Sequence, residues 1–198
     1  MSGVFSLRKP SIEAVHRVLD AQRDRPFTYR EVGAIENRIP PGYLQHATRA
    51  RIGAGESTFE TAVAALRTWK QFDVGWVELC WPGTALAAGE VVGVLARALG
   101  VWALSVSRII AVIDERSAGG RRFAVIYGTL PQHVETGEER FQIEWNRADD
   151  AVWYDVQAFY RPYHPLVRAA WPVVRRYPRK FVRESALAMQ RTVRSAMR

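Results

Sequence analysis

Apolar and polar positions recur with two different periods along this chain, and the switch between them outlines the fold. Residues 11–22 (SIEAVHRVLDAQ) carry Ile12, Val15, Val18 and Leu19 at the spacing of one helical face, behind a Ser in the cap position. Pro26 and the Pro40-Pro41 pair bound an irregular stretch. Residues 43–52 (YLQHATRARI) then read as a strand, closed by Gly53 and Gly55. Helical spacing returns with Phe59, Ala62, Val63, Leu66 and Trp69, and Ser57 with Glu60 has the form of a capping box. The pattern predicts a helix ending near Phe72.

Beyond it the period falls to two. Strands are predicted over 75–81, 90–99, 101–114, 121–130, 138–146 and 152–161, with turns at Gly119-Gly120 and at RADDA (147–151). No helical segments alternate with these strands, so antiparallel pairing is the simplest arrangement. Residues 165–198 are helical again, with Leu166, Ala170, Val173, Tyr177, Phe181, Ser185 and Met189 at three- and four-residue steps. Pro172 and Pro178 interrupt that stripe, giving either a kinked helix or two helices in sequence. A curved antiparallel sheet with a helix laid across its open face encloses an apolar space. The expected class is therefore α+β, of the helix-grip kind, with residues 1–26 as an N-terminal helical extension and 27–198 as a single domain.

Composition narrows the setting. A chain of 198 residues with 48% hydrophobic and 24% charged residues can bury a substantial core. The single cysteine, Cys80, excludes a disulfide framework, and the first residues lack the apolar stretch of a secretory signal. The apolar run 91–113 is long enough for a membrane span, but Arg97 and Arg108 lie within it and Gly100 divides it into two strand-length pieces. A cytoplasmic protein is expected. The net charge of +8 is unevenly placed: residues 161–198 carry ten Lys or Arg against one acid, Glu184. Such a segment suits contact with an anionic surface. Tyr177 and Phe181 fall on its apolar side rather than among the Arg residues, which argues against nucleic acid.

Several stretches resemble a known family. FTYREVGA (27–34), PPGY (40–43), RARIGAGESTFETAVAALRTW (49–69), YGTLPQHVETGEERF (127–141) and FYRPYHPLVRAAWPVVRR (159–176) are similar to the domain of unknown function numbered 1990, found in bacterial and plant proteins. The resemblance runs from about Phe27 onward, with Tyr160 and Pro178 as departures from the family's usual small residue and Gln. It implies kinship with the START-like and pollen-allergen-like helix-grip proteins that bind ligands.

Strand parity sorts the candidate chemistry. In GEERFQIEW, Glu139, Phe141, Ile143 and Trp145 share a core face, while Glu138, Arg140, Gln142 and Glu144 share a solvated one. Tyr127 lies with Phe123, Val125 and Thr129, and Tyr154 and Tyr160 lie with Val152, Val156 and Ala158. An inward carboxylate beside tyrosine hydroxyls is a candidate for proton transfer, because burial raises a carboxyl pKa toward neutrality. Glu139 is accordingly a catalytic candidate with Tyr127 and His133. Equally open are a half-solvated strand-end position for Glu139 and a pair with Arg49 or Arg51. Trp69, Trp76, Phe141, Tyr154, Tyr160 and Arg51 are the ligand-lining candidates, with core packing as the other reading of the two Trp. His16, His46, His133 and His164 show no metal spacing, and Gly53-Ala54-Gly55 and Gly128-Thr129 match no phosphate loop, so neither metal nor cofactor is expected. Two functions stay open: binding of a small apolar or amphipathic molecule, and metal-independent acid–base catalysis in the same space. A third is an interaction module built on the basic terminal helix.

Overall fold

A computed structural model describes residues 4–81 and 83–197. Residues 1–3 of the expected extension and Arg198 of the expected terminal helix lie outside them. The strands β1 (Phe5–Ser6), β2 (Leu44–Ala54), β3 (Val77–Leu79), β4 (Val91–Ala98), β5 (Val101–Ser117), β6 (Gly120–Thr129), β7 (Glu135–Asn146) and β8 (Ala151–Pro162) form one antiparallel sheet. Its order is β2-β8-β7-β6-β5-β4-β3, with β1 paired to β5. The run 91–113 is thus two strands of a hairpin, and no helix among the described residues is long and apolar enough to cross a membrane. Register shifts after Ile109 in β5 and after Arg51 in β2 mark bulges, which bend strands and curl the sheet.

Helix α1 (Ile12–Gln22) packs on the convex face, where Val15 and Leu19 meet Leu95, Leu104 and Val106. Its N-cap is Ser11, as the pattern predicts. Arg108, which interrupts the apolar run, donates from Nη2 to the carbonyls of Gln22 and Arg25 at 3.1 and 2.9 Å, satisfying the helix end. The 27–43 segment, with a 3₁₀ turn at Ala34–Glu36, covers the rest of this face over Ile126 and Phe159. The ring of Tyr29 lies against Gly128, where a Cβ would meet its hydroxyl at 2.0 Å.

That cover corrects the solvated reading of Glu138. The residue is 3% exposed, and its carboxylate accepts from the amides of Gly33 and Ile35 at 2.6 and 3.0 Å. Parity assigns the face correctly, but a loop distant in sequence sits upon it.

The concave face is held by α2 (Glu56–Arg67) and α5 (Arg176–Ala196). The expected capping box is absent: α2 starts from Gly55 with no side-chain cap, and Glu60 instead pairs with the buried Arg121. A buried guanidinium without a partner is costly, so the ion pair takes the carboxylate that the box requires. The helix ends at Arg67, and Trp69, in left-handed backbone at φ 59°, leads into a 3₁₀ turn at Lys70–Phe72. The predicted strand 75–81 shrinks to β3.

The terminal segment is three helices rather than one or two: α3 (Pro165–Ala169), α4 (Trp171–Val174) and α5. Each Pro falls in the first turn of a new helix, where an absent amide loses no intrahelical bond. Leu166 and Val173, expected in one buried stripe with Met189, are 62% and 45% exposed. Only from Tyr177 onward does the stripe meet the sheet, through Phe181, Ser185 and Met189. The result is a helix-grip fold.

Candidate functional site

The concave face is unevenly filled. At one end Phe59, Phe123, Phe141, Ile143, Tyr154 and Met189 interlock with almost no exposure. Tyr154 Oη lies 2.6 Å from Ser185 Oγ and ties the sheet to α5. At the other end the inward residues of β4 and β5 include Ala96, Ala98, Ala103, Ser105 and Ser107, and the covering chain is the broken α3–α4 segment. Short side chains under an interrupted helix leave a cavity of about 240 Å³, partly open to solvent. Val92, Val94, Val167, Val174 and Phe181 supply apolar wall.

The polar end of this cavity is built by four strands. Tyr127 and Glu139 are register partners across β6 and β7, so their side chains emerge together on the concave face. Tyr127 Oη donates to Glu139 Oε2 at 2.5 Å. Glu135 lies two inward positions earlier on β7, with Gly137 between them. Gly137 has φ 145°, and a Cβ there would come within 2.0 Å of the Phe159 carbonyl, so no side chain can stand between the two carboxyls. The Nδ1 of His133 lies 3.0 Å from both the amide and the carbonyl of Glu135, and accepting from the amide fixes the ring at the strand entry. Thr129, His46 and Tyr160 complete the rim.

Burial governs the protonation here. It pushes the Glu139 carboxyl up to about 7, against the opposing effect of the Tyr127 hydrogen bond. Burial, then the charge of Glu139, raises Glu135 to about 8. Burial lowers both His133 and His46 to about 4, so each imidazole is neutral at neutral pH. The Tyr127 hydroxyl is held protonated, by burial first and then by Glu139. The cavity end therefore offers two carboxyls that exchange protons near neutrality, beside groups that do not.

Of the residues singled out from sequence, Glu139, Tyr127, His133, Trp76 and Tyr160 line this cavity. Trp69, Phe141, Tyr154 and Arg51 are not among its lining residues. Trp69 is in the core, its indole donating to the Thr84 carbonyl at 3.1 Å. Phe141 and Tyr154 belong to the filled end. Arg51 is exposed on β2 and donates to the Gly53 carbonyl, while Arg49 pairs with Asp155 and Glu144 rather than with Glu139. Trp76 donates from Nε1 to Glu184 Oε2 at 2.6 Å, which fixes it against α5. Glu135 and His46 are cavity residues that sequence reasoning misses. Glu135 has the parity of Glu139 and becomes visible once β7 is begun three residues earlier; His46 lies on a strand whose inward face shows no clear pattern.

Comparison with known proteins supplies the family. The family model described as Domain of unknown function (DUF1990) matches residues 28–188. The chain belongs to that family. A "UPF0548 protein" of Dictyostelium discoideum is 35% identical over 209 residues, covering 97% of each chain. One of Deinococcus radiodurans is 33% identical over 201 residues, covering 95% of this chain and 98% of that protein. Among solved structures, Ara h 8.0201 superposes with a TM-score of 0.45 at 12% identity, over 78% of this chain and 99% of its own. That is a likeness of fold alone.

Proposed function

We propose that this is a cytoplasmic protein that binds a small, largely apolar molecule with a polar head, in the cavity between the sheet and the terminal helices. The observation that carries this reading is the cavity itself: apolar along its length, polar at one end, and unfilled by the protein's own side chains. At about 240 Å³ it is somewhat smaller than ordinary small-molecule pockets, which run from about 300 to 1,000 Å³, and so suits a small ligand. Mass spectrometry of small molecules that co-purify with the native protein, followed by thermal denaturation with the compound found, tests it. A bound ligand at a hundred times its Kd stabilises by about 2.7 kcal/mol. Absence of any co-purifying compound, together with an unchanged melting temperature across a panel of amphipathic compounds, would overturn it.

A second reading is favoured by the proton-exchanging carboxyls. Acid–base catalysis of a cyclisation, dehydration, isomerisation or hydrolysis would use Glu139 as the proton carrier. Tyr127 and the neutral His133 would stabilise developing negative charge. Glu139→Gln separates the two. For an enzyme, turnover of the co-purified compound falls by about 10²- to 10⁴-fold while binding persists; for a binder there is no turnover to lose.

A further inference from the structure

The cavity contains more negative capacity than the protein itself answers. Among the described residues, neither Glu135 nor Glu139 forms an ion pair with Lys or Arg; the recorded pairs all lie elsewhere. The Glu139 carboxyl has one hydrogen bond among the described residues, from Tyr127. The Glu135 side chain has none among the described residues, although its backbone amide donates to His133 Nδ1. His46 adds a second deficit, since both ring nitrogens are buried without a partner. A chain with an excess of basic residues has thus kept them out of the lining of this cavity, where two carboxyls meet a void. The groups facing the carboxyls are Tyr127, His133, Thr129, Tyr160 and His46, none of them cationic at neutral pH; the exposed Arg179 lies outside the lining, close enough to act on His46 and Tyr160.

The geometry points to a ligand that carries a protonated amine, seated over Gly137 between the Glu135 and Glu139 carboxyls, with its apolar part along Val92, Val94 and Phe181. This rests on the binding reading above and specifies the ligand class. An ammonium supplies up to three donors and a positive charge, which is what two unanswered carboxyls lack. A carboxylate or phosphate head would be repelled. A neutral hydroxyl would engage one carboxyl without favouring the ionised form of either, whereas an ammonium favours both. Because Gly137 carries no side chain, nothing from β7 stands between the two carboxyls and such a head can reach both.

The test compares three probes of equal chain length, octylamine, 1-octanol and octanoate, by thermal denaturation and calorimetric titration at pH 7 and low ionic strength. We expect octylamine to bind about tenfold or more tightly than 1-octanol, and octanoate weakest. That preference should vanish in the Glu135→Gln/Glu139→Gln variant, with octylamine losing about tenfold or more in affinity. Glutamine is close in shape, and the far-ultraviolet circular dichroism of the variant should match the parent. Equal or tighter binding of 1-octanol or octanoate overturns the amine inference and leaves an apolar site intact. An amine preference that survives the double substitution also overturns it. If none of the three binds, the inference and the binding reading fall together.

Discussion

The two ends of the concave face belong to one sheet and are covered by the same terminal segment, yet one is solid and the other hollow. At the solid end, β6, β7 and β8 present Phe123, Phe141 and Tyr154 to an uninterrupted α5 with Met189 and Val193 facing them. At the hollow end the inward positions of β4 and β5 fall to Ala and Ser, and the covering helix is broken at Ala170 and Arg175. Neither change alone leaves a void. Small residues under a regular helix allow it to settle closer, and large residues under a broken one fill the gap from below. The combination leaves space, and the inward Glu135 and Glu139 give that space its chemistry.

The comparison can be broken most severely at its border. Phe141 is fully buried, with ring centroids 5.5 Å from Tyr127 and 5.7 Å from Phe72. Phe141→Ala would join cavity and core, and should cost about 3–5 kcal/mol in denaturant unfolding. Next comes the tie between sheet and helix: Tyr154→Phe leaves the buried Ser185 hydroxyl without its partner and should cost about 1–3 kcal/mol by the same measurement.

The hollow end has its own signature in pH. Folded Glu135 and Glu139, at about 8 and 7, hold protons above the ordinary 4.5, so their contribution to stability declines as pH rises through that window. Folded His133 and His46, at about 4 against the ordinary 6.5, act in the opposite direction and are fully neutral above about 6.5. The two effects oppose one another at mildly acid pH. Between about 6.5 and 8 the carboxyls outweigh the fading protonation of the unfolded histidines, and stability should fall. Chemical denaturation at pH 6.5 and pH 8 reads the slope, and Glu135→Gln/Glu139→Gln should flatten it. An unchanged slope in that variant would mean that the two carboxyls are ionised in the fold already at pH 6.5.

The smallest expected effect on stability is the most informative about the void. Ser105→Leu places a larger side chain in the hollow. Such a cavity-filling change should leave stability near its starting value or raise it by about 0.5–2 kcal/mol, while abolishing ligand-induced shifts in melting temperature. The same change at the solid end, for example Ala186→Leu beside Met189, would overpack a filled core and cost about 1–3 kcal/mol.

Much of this was legible in the sequence because it is local. Period-two alternation from 91 onward places every major strand within a few residues, since a strand that hides one face must alternate. The same parity turns Glu139 inward beside Tyr127, and the Ser11 cap and the stripe of α2 follow from spacing within one or two turns. What the sequence could not determine depends on partners far along the chain. Glu138 reads as solvated until the 33–36 turn is laid over it; Glu60 reads as a cap until Arg121 arrives from β6; Arg51 reads as a partner for Glu139 until β2 is paired and turns it out to water. The cavity is the extreme case. Ala96, Ser105, Gly137 and Val174 are unremarkable where each stands in the chain, and only the curl of the sheet and the breaks in the terminal helix decide that the space between them stays unfilled.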